Sequence, residues 1–240
     1  MKKRILAIAL ALAMLLPAFA MGASAATPEE EAQALLAQTR AIFDSGKYTL
    51  KACGTSPFNG KPTPVVFVSD GSHSAFEATM DWGSMMQATG TDQVTSMFQG
   101  WMMWLLFGSK VRFISEPDKS LLVFLDRRFY MVTEPSGIPL YGAALFALPD
   151  FTEMTVSEPV VGGKKYLCAA LSDDNGVTTS YYYLNGQLKR ITLSGADYED
   201  AAFEIDTLSA SADQSYFSTK WMLKLSVSGL INLIPSSILN

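Results

Sequence analysis

The 240-residue sequence has little of the chemistry on which most enzymes depend. It contains one histidine, His73, and two cysteines, and it carries no H-E-x-x-H zinc motif, no phosphate-binding G-x-x-x-x-G-K-S/T loop and no G-x-G-x-x-G segment. His73 lies beside serines in a tight Asp-Gly turn, and no G-x-S-x-G nucleophile motif accompanies it. We therefore expect a protein that is not an enzyme, with no catalytic residue, no metal ion and no cofactor.

An apolar run long enough to cross a membrane is also missing outside the N-terminus. Basic residues 2–4 precede an apolar run over residues 5–20, and a small-residue A-x-A triplet ends at Ala25. This order is typical of a secretory signal peptide that is cleaved after the triplet. No cysteine lies near the cleavage point, so we expect no lipid anchor. The sequence predicts a signal peptide over residues 1–25 and one secreted or cell-envelope domain over residues 26–240, not an integral membrane protein.

Positive charge is scarce in the remaining chain. The signal segment holds three of the 18 lysines and arginines and none of the 23 acidic residues, so fifteen positive charges face 23 negative ones, a net charge of −8. Nucleic acids and anionic membrane surfaces both attract cationic patches. We therefore expect neither nucleic acid nor an anionic membrane surface as a partner.

The two cysteines, Cys53 and Cys168, leave two interpretations open. An even count in an exported chain favours a disulfide between them. The alternative is a pair of buried free thiols. Neither cysteine lies in a C-x-x-C or metal-type spacing, so redox catalysis and zinc binding find no support.

The chain begins with a helix and continues as a long series of strands. Thr27 as N-cap, Pro28 in the first turn and Glu30 in a capping box predict a helix that ends at Gly46. Beyond it, alternating apolar residues and recurring turn signals predict about 10–11 short antiparallel strands. The strand over residues 120–125 is apolar on both faces, so we expect a central strand covered on both sides. The turn signals are Asn59-Gly60, Asp70-Gly71, Pro117-Asp118, Asp126-Arg127, Asn175-Gly176 and Asn185-Gly186.

One apolar segment interrupts the strands. Residues 100–107 read GWMMWLLF, and Asp92 and Gly108 are good capping residues for a helix over residues 92–107. The last two turns are apolar on all sides, so we expect them to be covered or to face an apolar ligand. Six of the nine methionines after the signal segment lie in this region, and methionine is common where a protein accommodates variable apolar partners. An ordinary core that uses methionine is the alternative interpretation.

The C-terminal part carries a family resemblance. The segment NGQLKRITLSG, followed by AAFEIDTLSASADQSYF with Asp213, Ser215 and Phe217, resembles the end of the LolA-like lipoprotein carriers and their LppX-like relatives. That resemblance implies an α+β fold in which a strongly curved antiparallel sheet, an incomplete barrel, holds acyl chains on a concave face plugged by helices. The segment KWMLKLSVSGLINLIPSSIL, residues 220–239, replaces the proline-led ending usual in such domains.

Two functions follow as hypotheses. The first is a secreted, non-catalytic carrier or sensor that binds a lipid or other hydrophobic molecule between helix 92–107 and the sheet. The second is an envelope protein-interaction or regulatory module with a filled core. The ligand-binding residues predicted for the first hypothesis are Phe76, Met80, Met97, Phe98, Trp101, Met102, Trp104, Leu105, Phe113, Phe129 and Met131.

Overall fold

A computed structural model describes residues 26–56, 59–90, 92–135, 153–195 and 198–226. The predicted signal peptide and residues 227–240 lie outside the described residues. The described helices are α1 (Pro28–Asp44), α2 (Trp82–Ala88) and α3 (Gln93–Phe107). The described strands are β1 (Lys47–Thr55), β2 (Pro62–Asp70), β3 (Ser74–Thr79), β4 (Lys110–Ser115), β5 (Ser120–Phe124), β6 (Phe129–Thr133), β7 (Glu153–Ser157), β8 (Val160–Val161), β9 (Lys164–Lys165), β10 (Leu167–Ser172), β11 (Thr178–Leu184), β12 (Gln187–Gly195), β13 (Tyr198–Ser209) and β14 (Leu223–Leu225).

Twelve of these strands form one curved, unclosed sheet in the order β14-β6-β5-β4-β3-β2-β1-β13-β12-β11-β10-β7. Every pairing among its described strands is antiparallel except that of β14 with β6, which is parallel. The predicted α+β class with a large curved antiparallel sheet is confirmed. Strand β7 raises the number of strands in this sheet to twelve. The sequence pattern did not predict it, because its five residues alternate too briefly to stand out.

Helix α1 forms the main core with one end of the sheet. The predicted capping box is present, since the Thr27 side chain accepts a hydrogen bond from the Glu30 N–H at 3.2 Å and the Thr27 N–H donates to Glu30 Oε2 at 2.9 Å. The helix contacts β1, β7 and β10, and it buries Leu35 and Leu36 against the sheet. Burial of one apolar stripe on an apolar sheet face is what stabilises such a helix.

The same face of the sheet continues from this core toward β14. Cross-strand neighbours share a face, and the register links one row of apolar side chains across eight strands. That row is Leu208, Leu50, Phe67, Phe76, Phe113, Leu122, Met131 and Leu225. Helix α1 covers one end of the row, and the α2–α3 pair contacts the other end.

The opposite face of β2–β6 is covered by the segment that follows β13. Leu121 and Val123 pack there with Tyr216, Phe217 and Met222. Asp213 begins a short 3-10 helix by accepting a hydrogen bond from the Ser215 N–H at 3.1 Å, which places Phe217 against the sheet. Strand β5 is therefore covered on both faces, as predicted, although it lies two strands from the β14 edge and not at the centre of the sheet.

The candidate disulfide is wrong, because both cysteines are free thiols. Cys53 lies on β1 and Cys168 on β10, and the sheet places β13, β12 and β11 between these strands. The two cysteines are therefore four strand spacings apart, each of roughly 4.8 Å. That separation is well above the Cα–Cα distance of about 7 Å that a disulfide can bridge. Burial raises the pKa of the Cys168 thiol, although hydrogen bonds from Ser157, Tyr182 and Ser180 oppose that effect.

Candidate functional site

The apolar segment of residues 100–107 belongs to a pair of helices. Asp92 caps α3 as predicted, and its side chain accepts hydrogen bonds from the Val94 and Thr95 N–H groups at 3.1 Å each. The sequence analysis missed α2, a helix of seven residues that Asp81 caps through a hydrogen bond from the Ser84 N–H at 3.2 Å. The Trp82 indole Nε1–H donates to the Gly108 carbonyl at 2.6 Å and ties the beginning of α2 to the end of α3.

Gly100 allows these helices to approach closely. A Cβ atom added to Gly100 of α3 would lie 2.5 Å from the Gly83 Cα and 2.6 Å from the Gly83 backbone nitrogen. No real side chain fits at such distances from backbone atoms. Ser96, one turn before Gly100, is also buried in this region. The contact between α2 and α3 is therefore made by small residues. A glycine in the middle of a helix, such as Gly100, often indicates a close packing contact of this kind.

This contact decides which face of α3 is buried, and it corrects the sequence analysis. The apolar last two turns were expected to be covered or to face an apolar ligand, yet Trp101, Trp104 and Leu105 are about half exposed. Val94, Met97 and Phe98, earlier on the same helix, are more exposed still. The buried residues of α3 are Ser96, Gly100 and Phe107. Only a helix face of small residues fits against Gly83, so most of the larger apolar side chains of α3 lie on the outside.

The end of α3 reaches the sheet and fills the space there. Phe107 lies 4.8 Å from Phe124 between ring centroids, and Phe124 lies 4.7 Å from Phe129. Met131 is buried in the same cluster, and Phe113 and Met80 pack at its border. Three of the predicted ligand-binding residues, Phe113, Phe129 and Met131, therefore serve as packing partners of the helix end.

Four of the predicted ligand-binding residues meet at an open pocket between α2 and α3. Met80, Met97, Trp101 and Trp104 line a cavity of about 360 Å³. The sequence analysis missed its other lining residues, Asp81, Trp82, Gly83 and Gly100. The remaining predicted residues lie elsewhere: Phe98 and Leu105 are exposed on α3, Met102 is half-buried on α3, and Phe76 stacks on Phe67 with a centroid distance of 4.8 Å.

The single carboxylate of the pocket is already occupied by protein donors. Asp81 accepts hydrogen bonds from the Ser84 hydroxyl at 2.9 Å and from the Asn59 side-chain amide at 2.6 Å, besides that from the Ser84 N–H. The backbone hydrogen bond from Ser84 is the main reason why the pKa of Asp81 lies below its ordinary value. The carboxylate is therefore ionised at neutral pH, and apart from the indole N–H groups of three tryptophans the rest of the lining is apolar or backbone.

Arg127 borders this site from the turn between β5 and β6. Its Nη2 donates to the Trp104 carbonyl at 2.9 Å, and its guanidinium lies 5.3 Å from the centroid of the Trp104 ring. The neighbouring Asp126 Oδ2 accepts hydrogen bonds from the Ser109 N–H at 2.7 Å and the Lys110 N–H at 3.1 Å. Partial burial by itself would raise the pKa of Asp126, but these hydrogen bonds lower it below its ordinary value.

No protein-family model matches this sequence, and no curated protein matches it. Among solved structures, an uncharacterized conserved protein from Thermus thermophilus aligns over 81% of this chain and 98% of its own, with a TM-score of 0.38 and 6% identity. MucB aligns over 80% of this chain with a TM-score of 0.40 and 11% identity, and this chain spans 64% of that protein. The Pseudomonas aeruginosa MucA/MucB complex aligns over 80% of this chain and 62% of that chain, with a TM-score of 0.37 and 10% identity. Likeness this low does not indicate a ligand or a partner.

His73 belongs to a turn and not to a catalytic triad. Its Nδ1 lies 3.1 Å from Asp70 Oδ2 and 3.0 Å from Ser72 Oγ, so the acid and the hydroxyl share one ring nitrogen. A triad places the serine and the carboxylate on opposite ring nitrogens. Within the described ranges, no group of three histidine, cysteine or acidic residues is placed to hold a metal ion. Nor is any helix in those ranges both long and apolar enough to span a membrane.

Proposed function

We propose that this protein is an exported, non-catalytic binding protein that takes up one apolar chain of a lipid or a similar molecule between α2 and α3. The observation that carries this proposal is the open pocket of about 360 Å³ lined by Met80, Met97, Trp101 and Trp104. Its volume lies within the range of about 300–1,000 Å³ that small-molecule sites occupy. Methionine side chains adapt to ligands of variable shape, and tryptophans offer broad apolar surfaces.

The polar groups of the pocket favour an apolar occupant. Asp81 is committed to Ser84 and Asn59, and the indole nitrogen of Trp82 is committed to the Gly108 carbonyl. Apart from the indole N–H groups of Trp101 and Trp104, the lining offers little to a polar group of a ligand, and a polar group buried without a partner costs free energy. A hydrocarbon chain has no such group and loses water contact on binding. The ligand part that enters the pocket is therefore hydrocarbon, and any headgroup stays at the opening.

The test is native mass spectrometry of residues 26–240 after export, followed by organic extraction and titration with palmitic acid and Nile red. We expect lipid at about one molecule per protein, and its loss in Trp101→Glu because a carboxylate would enter the apolar lining. Val94→Glu is the matched control, since Val94 is exposed on the same helix and does not line the pocket. A ligand-free mass together with no uptake of either probe would overturn the proposal.

An envelope protein-interaction module is the second candidate function. It rests on the filled interior around Phe107, Phe124 and Phe129 and on the apolar side chains that α3 presents outward. A protein-binding module needs an exposed apolar patch and no cavity. Failure of lipid uptake, combined with loss of partner capture in both Trp101→Glu and Val94→Glu, would favour this second function.

A further inference from the structure

A second pocket lies between helix α1 and the sheet, at the end of the molecule away from the α2–α3 pair. Its volume of about 370 Å³ lies within the range of about 300–1,000 Å³ that is typical of small-molecule sites. Helix α1 contributes Leu35, Thr39 and Ile42 to the lining, and residues of β11, β12 and β13 form the opposite wall. We call this cavity the α1 pocket. It shares no lining residue with the α2–α3 pocket, so the two can be tested separately.

Two β-bulges border the α1 pocket. The register of β11 with β12 shifts beside Tyr183 and leaves Lys189 without a partner residue in that ladder. The register of β1 with β13 also shifts and leaves Asp206 without one. Both extra residues belong to the lining of the pocket. A bulge bends its strand, and bulges are common next to functional sites, so the pocket lies where two neighbouring strands are both bent.

Two buried hydroxyl groups belong to the lining of the α1 pocket. Thr39 is 4% exposed and Tyr183 is 3% exposed, and their side-chain oxygens lie 2.9 Å apart. Thr39 Oγ1 donates its proton to the Leu35 carbonyl at 2.9 Å. Because a hydroxyl carries one proton, Tyr183 is then the donor to Thr39. The Tyr183 oxygen keeps its lone pairs, and within the described residues no other group donates a hydrogen bond to it.

This hydrogen-bond chain decides what the buried part of the pocket offers to a ligand. Burial raises the pKa of Tyr183 to about 12, although the hydrogen bond with Thr39 opposes that effect, so the phenol is uncharged at neutral pH. Both hydroxyl protons are used within the protein. The hydroxyl pair can therefore accept a hydrogen bond from a ligand and has no proton left to donate. The lining beside it is apolar, since Leu35 and Leu188 are buried and Leu208 is half-buried.

The charged residues of the α1 pocket are in contact with water. They are Lys189, which is half-buried, and Asp206, which is exposed. An ion pair between a ligand and such a residue stays hydrated and contributes little to binding. A charged group placed at the buried hydroxyl pair would lose its water and would meet no buried charge in the lining, which costs free energy. The α1 pocket therefore favours a ligand without a formal charge.

We propose that the α1 pocket binds an uncharged, mainly apolar molecule with one hydrogen-bond donor, an aryl N–H or a hydroxyl group, which donates to the Tyr183 oxygen. The apolar part of this ligand packs against Leu35, Ile42 and Leu188 and loses contact with water. A ligand whose polar group only accepts hydrogen bonds finds no donor in the hydroxyl pair and leaves that group unpaired, which weakens binding. The site thus selects its ligand by the donor, whereas the α2–α3 pocket is proposed for a hydrocarbon chain.

The experiment compares indole with benzofuran, which has the same shape but an ether oxygen in place of the N–H group. Each probe is titrated into residues 26–240, and binding is followed by the amide NMR shifts of α1 and β12. We expect indole to bind about tenfold more tightly than benzofuran, because benzofuran lacks the hydrogen bond to Tyr183. The ratio of the two affinities is the readout, since partial unfolding of a variant would weaken both probes equally.

Variants of the hydroxyl pair test the assignment of the donor and the acceptor. Tyr183→Phe removes the acceptor and should bring the ratio to about one by weakening indole alone. The matched control is Tyr182→Phe, which should leave the ratio unchanged because Tyr182 lies on the opposite face of β11. Thr39→Val frees the Tyr183 proton for a ligand, so benzofuran should gain relative to indole. Thr39→Ser keeps the hydroxyl group and should keep the original ratio.

Four results would overturn this proposal. The first is that neither probe shifts the amides around the α1 pocket, and the second is equal binding of indole and benzofuran. The third is a preference for indole that persists in Tyr183→Phe. The fourth is tighter binding of indole-3-acetate than of indole that Lys189→Gln abolishes, since the site would then recognise an anion. Trp101→Glu should change none of these measurements, whether or not the α2–α3 pocket takes up lipid.

Discussion

Helices α1 and α3 contact the same face of one sheet and bury opposite kinds of residues. Helix α1 carries three glutamates in its first turn and still buries Leu35 and Leu36 in the main core. Helix α3 is far more apolar, yet it buries Ser96 and Gly100 and exposes Val94 and most of its other large side chains. What a helix buries is decided by the surface opposite to it, and not by how apolar the helix is.

The two helices meet different neighbours. Helix α1 lies on strands β1, β7 and β10, whose apolar side chains accept leucines. Helix α3 lies along α2 at Gly83 and reaches the sheet only with its last turn, where Phe107 is buried. One end of the molecule is thus stabilised by a large core, and the other is stabilised by close backbone contact, one aromatic cluster and hydrogen bonds.

The largest expected effect separates the two helices directly. Leu36→Ala removes a buried side chain from the main core and should lower the free energy of unfolding by about 3 kcal/mol, within the range found for such truncations. Val94→Ala on α3 removes an exposed side chain and should change it by less than about 0.5 kcal/mol. Denaturant unfolding of both variants is the measurement. Equal losses in the two variants would show that the outer face of α3 is covered in solution.

A smaller effect is expected where α2 and α3 touch. Gly100→Ala should lower the free energy of unfolding by about 2 kcal/mol, because the new methyl group meets the backbone of Gly83 at 2.5 Å and outweighs the better helix propensity of alanine. Gly83→Ala is the matched control. A Cβ there lies 3.7 Å from the nearest atom, an Asp81 side-chain oxygen, which is ordinary contact. A Gly100→Ala variant as stable as Gly83→Ala would argue against the close approach of these helices.

The smallest effect concerns the hydrogen bonds that hold the end of α3 to the turn after β5. Asp126→Asn should lower the free energy of unfolding by about 1 kcal/mol at neutral pH. This is a small value for hydrogen bonds to a charged group, because Asp126 is exposed to solvent.

The pH dependence follows from the direction of the Asp126 shift. Since the folded pKa is lowered, the stabilisation is present above the ordinary aspartate pKa of about 3.9 and is lost as the pH falls through the lowered value. Unfolding of both proteins from about pH 7 to about pH 3 should therefore show the difference shrinking in acid. A difference that stays constant over that range would mean that the carboxylate charge contributes nothing.

Local signals predicted the elements well. The capping box at Thr27, the N-cap at Asp92 and the end of α3 at Gly108 depend on residues within one helical turn, so the pattern of side chains suffices. Helix α2 was missed because seven residues are too short for a periodic signal, although Asp81 followed by Ser84 is a capping pattern. The free state of Cys53 was undecided because pairing depends on strand order, which lies beyond local sequence.

The candidate site shows where local reasoning ends. The sequence identified Met80, Met97, Trp101 and Trp104 as ligand-binding candidates, and they do line one pocket. It placed them with Phe129 and Met131, which instead fill a core with Phe107. Apolar composition alone does not distinguish a residue that packs in the core from one that lines a pocket, because both positions require the same apolar side chains.

The sequence by itself determined most of the elements of this protein, with their alternating strands and helix caps, and the apolar character of residues 100–107, because each depends on neighbours along the chain. Only the tertiary structure decided that α3 turns its small residues inward, since Gly83 comes from another helix. It also decided that Arg127 reaches the Trp104 carbonyl of α3, since the turn after β5 approaches that helix from a later part of the chain.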